Sequence, residues 1–584
     1  MAKRWRIHPH DADRIAHLER SAGVPPVVAQ LLLCRGIDNP QHVRDFLDPR
    51  LTHLRDPLAL PNMLPAAERI IRAIADRQRI VIYGDYDVDG MTATSIMVQC
   101  LKLLGADVTY FIPNRMEEGY GLHGDALRTL AAQGAKLVVT VDCGVASVEE
   151  GALARELGLD LIITDHHEPG EVLPEAVAIV HPRLPGHFYP FGGLSGSGVA
   201  LKLAWALCQQ AEQSKRVSER LRNFLLAAVG QAALGTVADV VPLVDENRVL
   251  VQYGLQSLKD QPGLGIAALM RLTKLDVKPR LDSDDIGFQL APRLNAAGRF
   301  GQAQLGIELL MTTAADRAQS LAEYIHELNN SRQSLERSIY TQAHKQAIDK
   351  FDPQGDAALV LAGEGWHPGV IGIVAGRLAE KFHRPVVMIA LDELGAKPGV
   401  GSARSVPGFD LHLALRACTE HLLGHGGHAA AAGLKIEPSR IENFRADFCE
   451  HAAGEIDHGQ RVAELWIDAE VPLGSLSLKV VEQIERMSPF GQGNRRPLFC
   501  ASDVKLAEPP KPMGEGGRHL SFKLQQGQTG IRGVAFGAAD WLSELEQHEG
   551  PLDIAFRPVI NDFRGMRKVE LQLTDWRVPA AVEA

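Results

Sequence analysis

Between Arg79 and Gln209 short apolar runs alternate with ~10–15-residue stretches of helical periodicity, and that alternation leaves few folds open. Strands are expected at Arg79–Gly84, Asp107–Ile112, Leu137–Val141, Leu159–Thr164 and Ala176–Val180. Helices are expected at Met91–Leu104, Gly124–Gln133, Ser147–Leu157 and Val199–Gln209. Such βαβ units build a parallel sheet, and chemistry in parallel sheets sits at the carboxyl ends of the strands.

The rest of the chain changes character three times. Residues 1–50 read as a polar, mostly helical lead-in, and Arg220–Leu258 reads as helical. Ala314–Lys350 holds no Gly or Pro and has apolar residues at helical spacing. It predicts one long helix between two domains, or two helices with a turn near Asn329–Ser331. A second α/β pattern begins at Ala357, with a helix at Gly369–Phe382 and a strand at Pro385–Ala390. After Gln460, short β-like runs separated by Gly- and Pro-containing turns predict a small barrel or sandwich, with Glu508–Arg518 as a loop.

At 584 residues the chain exceeds the ~250–300 that one core supports, so two to four domains are expected. No run of ~18 apolar residues is seen, so no membrane span is expected, and the first residues lack the apolar segment of a secretory signal. The seven cysteines form no C-x-x-C pair, which supports neither a disulfide framework nor a thiolate zinc site and points to a reducing cytoplasm. The net charge of −11 argues weakly against a polyanionic partner. A nucleic-acid reading must therefore rest on local patches.

Gly84–Gly90, GDYDVDG, places Asp85, Asp87 and Asp89 directly after a buried strand. Carboxylates so close raise each other's pKa unless a cation compensates. A solvated acidic turn is the bland alternative. An EF-hand fails, because its twelfth position falls on Ile96 and a strand precedes the loop. Two further strand ends carry metal-capable groups: Asp142 in TVDCG, and Asp165-His166-His167. Asp239 in GTVADVVPL ends a helical stretch and is placed to close the site. Oxygen-rich sites with a few imidazoles suit Mn²⁺ or Mg²⁺, and this many carboxylates suits two ions.

The motifs GDYDVDG, VDCG, TDHH and GTVADV, in that order, resemble the DHH phosphoesterase family. RLNAAGR (Arg293–Arg299), GWHPGVIGIVAGRL (Gly365–Leu378), GSARS (Gly401–Ser405), HGGHAAAAG (His425–Gly433) and PFGQGN (Pro489–Asn494) resemble its branch of single-strand-specific 5′→3′ exonucleases. The resemblance implies an α/β fold: a parallel-sheet DHH lobe, a long connecting helix, a second α/β lobe of the DHHA1 kind and a C-terminal small β-barrel of the OB kind. The expected boundaries are a lead-in at 1–50, a catalytic domain at 51–313, the helix at 314–350, a substrate-binding domain at 351–455 and a nucleic-acid-binding domain at 460–584. It implies a centre of two Mn²⁺ or Mg²⁺ ions held by Asp87, Asp89, Asp142, His166 and Asp239, with Asp142 bridging. Asp85 is placed below these as a ligand, and His167 is expected to hold the scissile phosphate or a water.

In the second lobe His421, His425 and His428 offer a zinc reading, but Gly424, Gly426 and Gly427 would break a helix there. Glycines beside His428 suit close approach of backbone to phosphate, and the resemblance agrees. Ser402 and Arg404, read as sharing one turn, and Arg293, Asn295 and Arg299 are phosphate-binding candidates, with His367 as a substrate contact. In the barrel Arg495, Arg496, Lys511, Arg518, Arg564, Arg567 and Lys568 accompany Phe499, Phe522, Phe536 and Phe563. Any one of those rings is more simply core, so no base-stacking residue is assigned. The expected activity is release of mononucleotides from the 5′ end of single-stranded DNA in repair and recombination. The expected protein is a monomer, with a single-strand-binding protein and a RecQ-type helicase as partners by resemblance. The alternatives are a DHH phosphodiesterase for short RNA or cyclic dinucleotides, and a catalytically dead DNA-binding scaffold.

Overall fold

The computed structural model describes residues 3–115, 118–350, 352, 356–456, 462–563 and 565–579. They divide into one unit of residues 55–241 and 253–463 and another of residues 3–54, 242–252 and 464–584. Counted along the chain, strand β1 (Arg4–Ile7) belongs to the second unit.

The first unit opens on a five-stranded, fully parallel sheet of β2 (Ile80–Tyr83), β3 (Val108–Phe111), β4 (Leu137–Val141), β5 (Asp160–Thr164) and β6 (Ala178–Val180), in the order β3-β2-β4-β5-β6. β2 and β4 are buried along their whole length. Strands covered on both faces read as continuous Val/Ile runs, which is why they are legible without alternation. Helix Val88–Leu103 starts in the acidic loop and is buried from Val88 through Val98. It packs against helices Gly196–Glu212 and Glu219–Ala238. The last of these is, by length and composition, apolar enough to cross a membrane, which the sequence reading did not anticipate. Half of its apolar window is buried in this protein core.

Helix Ala315–Lys350 runs unbroken for 36 residues, so the turn near Asn329–Ser331 does not form. Side-chain pairing within the helix explains this. Arg332 donates to Asn329 Oδ1 at 2.7 Å and to Glu336 Oε2 at 2.5 Å, one turn to either side. Beyond it lies a second sheet of β7 (Leu359–Glu364), β8 (Val386–Leu391), β9 (Gly399–Arg404), β10 (Leu422–Gly427) and β11 (Ala431–Ile436), in the order β10-β11-β9-β8-β7. Only β7 and β8 run parallel. Val370, Ile371, Val374 and Leu378 of helix Pro368–Phe382 belong to its core. Ser402 and Arg404 therefore stand on a strand, not on the turn expected for them. The Gly-rich GHGG stretch is likewise a strand, because the ladder to β11 supplies partners that its glycines cannot encode.

The second unit is built on a barrel. After β12 (Glu464–Ile467) and β13 (Ala469–Glu470) come β14 (Phe499–Leu506), β15 (Lys511–Met513), β16 (His519–Gln526), β17 (Thr529–Ala535), β18 (Leu552–Phe563) and β19 (Met566–Arg577). The order β14-β18-β19-β17-β16 closes through a β14–β16 pairing, and β17 and β19 run parallel. A five-stranded closed ring of this kind is the OB architecture. β15 falls inside the segment read as a loop. Phe499 and Phe522 are core, whereas Phe536 is exposed; Arg564 and the Phe563 side chain lie outside the described residues.

The N-terminal segment is mostly helical as expected, with helices Ala12–Ala22, Pro26–Leu33 and Pro40–Leu47, but it belongs to the barrel unit and opens on a strand. β1 pairs in parallel with β12, and Ile15, Leu18, Val28 and Leu31 share the barrel's hydrophobic core. The PFGQGN stretch is structural here. Buried Asn494 donates to Met487 O and Pro489 O and accepts from Arg35 Nε at 2.8 Å.

Candidate metal centre and its cationic flank

Three parallel strands deliver the acidic groups to one edge. β2 leads into the loop of Asp85, Asp87 and Asp89, β4 into Asp142, and β5 into Asp165, His166 and His167. Asp87 caps helix Val88–Leu103, accepting from Gly90 N at 3.0 Å. Asp89 accepts from Gly196 N at 2.6 Å and Ser197 N at 3.0 Å, at the start of helix Gly196–Glu212. Asp239 follows the last residue of helix Glu219–Ala238. Small residues make room for this crowding. A Cβ on Gly196 would fall 2.3 Å from Asp142 Oδ1, and one on Gly235 would fall 2.3 Å from Asp89 Oδ1.

The ligand-capable atoms form overlapping groups, each within 4.8 Å: Asp85, Asp87 and Asp142; Asp142, His166 and His167; and Asp89, His166 and Asp239. Asp142 belongs to the first two, at a backbone φ of 64°. His166 Nε2 lies 3.1 Å from Asp142 Oδ1 and 3.4 Å from Asp239 Oδ2. Burial, and then the charges of its acidic neighbours, raise the carboxyls of Asp85, Asp87 and Asp142, and push Asp239 to about 9. Burial lowers His166 to about 4, which leaves a neutral imidazole. Asp85 Oδ1, Asp142 Oδ1 and His166 Nε2 are buried without a hydrogen-bond partner among the described residues. Orphaned acceptors around mutually repelling carboxylates fit divalent cations, and the oxygen-rich donor set fits Mn²⁺ or Mg²⁺.

His167 is held differently. Against the effect of burial, its hydrogen bond to Asp165 raises it to about 9. Asp165 accepts from the amides of Val145, His166 and His167 as well as from the His167 ring. Tyr120, absent from the sequence reading, places its hydroxyl 2.9 Å from His167 Nδ1 and 3.3 Å from Asp142 O. His428, from the second sheet's hairpin, lies beside the same ring. Its amide donates to Ala431 O, and Gly427 before it has a φ of 133°. A Cβ on Gly427 would fall 2.5 Å from that same carbonyl, whereas Gly426 faces open space.

Beside the acidic groups lies a cationic patch. Arg299 is half-buried, donates to Gly369 O at 2.9 Å, and falls to about 9 through desolvation and the neighbouring charges of Arg115, Arg332 and Arg404. Arg404 donates to Ser402 Oγ at 3.2 Å and is lowered by burial and by Arg115. Arg115, also missed, stacks 4.8 Å over the Tyr86 ring. A single Arg in a loop carries no pattern by which a sequence could single it out. The other candidates are placed elsewhere. Asn295 Oδ1 accepts from Val88 N at 3.2 Å and so steadies the acidic loop. Arg293 is turned to His326 and Gln289. His367 caps its helix through Nδ1, with its ring edge-on to Phe300.

A metal-dependent phosphoesterase of the DHH class is what this parallel sheet, acidic edge and second α/β lobe define. Residues 79–229 match the DHH family, N-terminal domain, 355–454 the DHHA1 domain and 467–575 the RecJ OB domain. The chain is 37% identical over 576 residues to the single-stranded-DNA-specific exonuclease RecJ of Bacillus subtilis, covering 98% of this chain and 70% of that one. It is 36% identical over 572 residues to RecJ of Dickeya dadantii, covering 95% and 96%. The crystal structure of Thermus thermophilus RecJ in complex with Mn²⁺ superposes with a TM-score of 0.83 at 31% identity, over 99% of this chain and 80% of that one. The chain belongs to the RecJ family of exonucleases.

Proposed function

We propose that the protein hydrolyses single-stranded DNA from the 5′ end, releasing mononucleotides, with two Mn²⁺ or Mg²⁺ ions at the acidic edge. The observation that carries this is Asp142, shared between two ligand groups beside a half-buried patch of Arg115, Arg299 and Arg404. Asp87, Asp89, Asp142, His166 and Asp239 would hold the ions, with Asp142 common to both and Asp85 at the margin. Bound there, the cations would lower the pKa of a water and neutralise charge developing on the phosphoryl oxygens. His167, held cationic by Asp165, would hold the scissile phosphate or a water. Arg404 and Arg299 offer planar donors to a phosphate terminus, with Ser402 beside them.

The OB barrel favours a long polymer over short RNA or cyclic dinucleotides, and the complete acidic set argues against a dead scaffold. On this reading residues 51–313 are the catalytic domain and 351–455 bind substrate. The helix at 314–350 joins them, and 460–584 bind the strand. Roles in DNA repair and recombination, a cytoplasmic location, and a single-strand-binding protein and RecQ-type helicase as partners follow from the same reading.

Digestion of a long single strand labelled at either end, with and without Mn²⁺, tests the reading. Label released first from the 5′ end, only with metal, is expected. Asp142→Ala should abolish hydrolysis, beyond the ~10–100-fold typical of residues that only support a ligand, while strand binding persists. Digestion from the 3′ end, or a tenth of the activity surviving in the variant, would overturn it.

A further inference from the structure

The helices Ala315–Lys350 and Pro368–Phe382 border an open pocket of about 390 Å³ lined by Arg332, Gln333, Glu336, Arg337, Tyr340 and Arg377. Three guanidiniums and one carboxylate line it. Glu336 is already divided between two of them, accepting from Arg332 Nη1 at 2.5 Å and from Arg377 Nη1 at 2.9 Å. Arg337 is exposed, and its side chain has no hydrogen bond or ion pair among the described residues. Behind Arg332, fully buried Asn329 accepts from Arg332 Nη2, and its own Nδ2 finds no acceptor among the described residues. The pocket lining thus carries positive charge in excess, three guanidiniums against one carboxylate. The Tyr340 ring is already engaged by the Arg377 guanidinium at 4.1 Å and by His344 at 5.5 Å. What the lining lacks is a compact polyvalent oxyanion.

The cavity also continues the cationic patch. The charge of Arg332 is felt at Arg299, which in turn feels Arg404 and Arg115. Arg404 packs against Gly372 and Gly376, on the helix that carries Arg377. Guanidiniums therefore succeed one another from the acidic edge to this cavity.

We propose that the cavity is a second phosphate site, separate from the Arg115–Arg299–Arg404 patch. It takes either the phosphate of a released 5′-mononucleotide or an internal phosphate of the strand. The source of that phosphate rests on the exonuclease reading. The binding itself does not, and it is measured without turnover.

The test uses the full chain in EDTA. Two probes are titrated separately: dAMP, and a fluorescein-labelled dT12 with a 5′-hydroxyl. Arg404→Ala serves as the background in which the first patch is weakened. Adding Arg337→Ala and Arg377→Ala should weaken the remaining dAMP binding by roughly 10–100-fold for each charged hydrogen bond removed. Alternatively, dAMP binding stays while the salt slope for dT12 falls by roughly 0.7 for each phosphate no longer neutralised, which assigns the site to the strand. Arg337→Ala alone guards against misfolding, because its side chain holds nothing in place. Unchanged titrations of both probes in variants with wild-type circular dichroism and melting temperature would overturn the site.

Discussion

The rings of His167 and His428 lie with centroids 6.4 Å apart and planes 13° from parallel. One follows the parallel sheet, the other the Gly-rich hairpin of the second sheet, so the two lobes contribute neighbouring imidazoles to one site. His428→Ala should lower kcat/KM by roughly 10–100-fold, the worth of one charged hydrogen bond, and leave Mn²⁺ affinity unchanged. His167→Ala should lower kcat itself. Isothermal titration of Mn²⁺ beside steady-state kinetics separates the two; a loss of metal binding in His428→Ala would place that ring among the ligands.

Asn295 bonds the Val88 amide at the root of the acidic loop. Asn295→Ala should therefore weaken Mn²⁺ binding by roughly 10–100-fold, as expected for a residue that positions ligands. If the side chain instead clamps DNA, strand affinity falls and metal affinity stays.

The metal-free protein should lose stability as the pH rises. Burial, reinforced by the charges of Asp89 and Asp87, holds Asp239 at about 9, far above an unfolded carboxyl. Between the unfolded value of ~4 and 9 the folded state binds a proton that the unfolded chain has released, so stability falls across that window. Mn²⁺ should raise the melting temperature, and more at pH 8 than at pH 5. Thermal melts in EDTA that are flat over this range would contradict the carboxylate cluster.

Arg404→Ala should reduce activity most on 5′-phosphorylated strands, by roughly 10–100-fold, and shrink their preference over 5′-hydroxyl strands. Its guanidinium is half-buried beside Ser402 and feels Arg115, a setting suited to the extra charge of a terminal phosphate. An unchanged ratio of kcat/KM for the two substrates removes it from end recognition.

In the barrel unit, Arg248 is buried and donates to the carbonyls of Phe46, Met487 and Ser488 at 2.7–2.8 Å, with Phe46 under its guanidinium. Arg248→Ala leaves these acceptors unpaired and should cost about 2–4 kcal/mol. Calorimetry should show a lower melting transition for this unit with Mn²⁺ binding intact.

The sheet and the acidic edge were legible because buried Val/Ile strands ending in Asp85–Asp89, Asp142 and His166 carry their pattern within a few residues. Tyr120 and Arg115 were not. Each is one residue in a loop, and its role comes from a tertiary contact with His167 or Tyr86. β10 was hidden because Leu422–Gly427 has little strand propensity of its own and is ordered by its ladder to β11. β1 was hidden because RWRI is only four residues long and its partner is remote.

That remoteness has a consequence for how the chain is made. Arg4 pairs with Glu464, and Trp5 donates to Asp575 beneath the Arg577 guanidinium. At ~5–20 residues per second, the first strand waits on the order of 20–90 s after leaving the ribosome before its partner exists. During that interval it is an unpaired edge, and the arginines at positions 4 and 6 are the charges that discourage wrong pairings. The barrel unit therefore cannot complete its pairing until β12 has been made, long after β1.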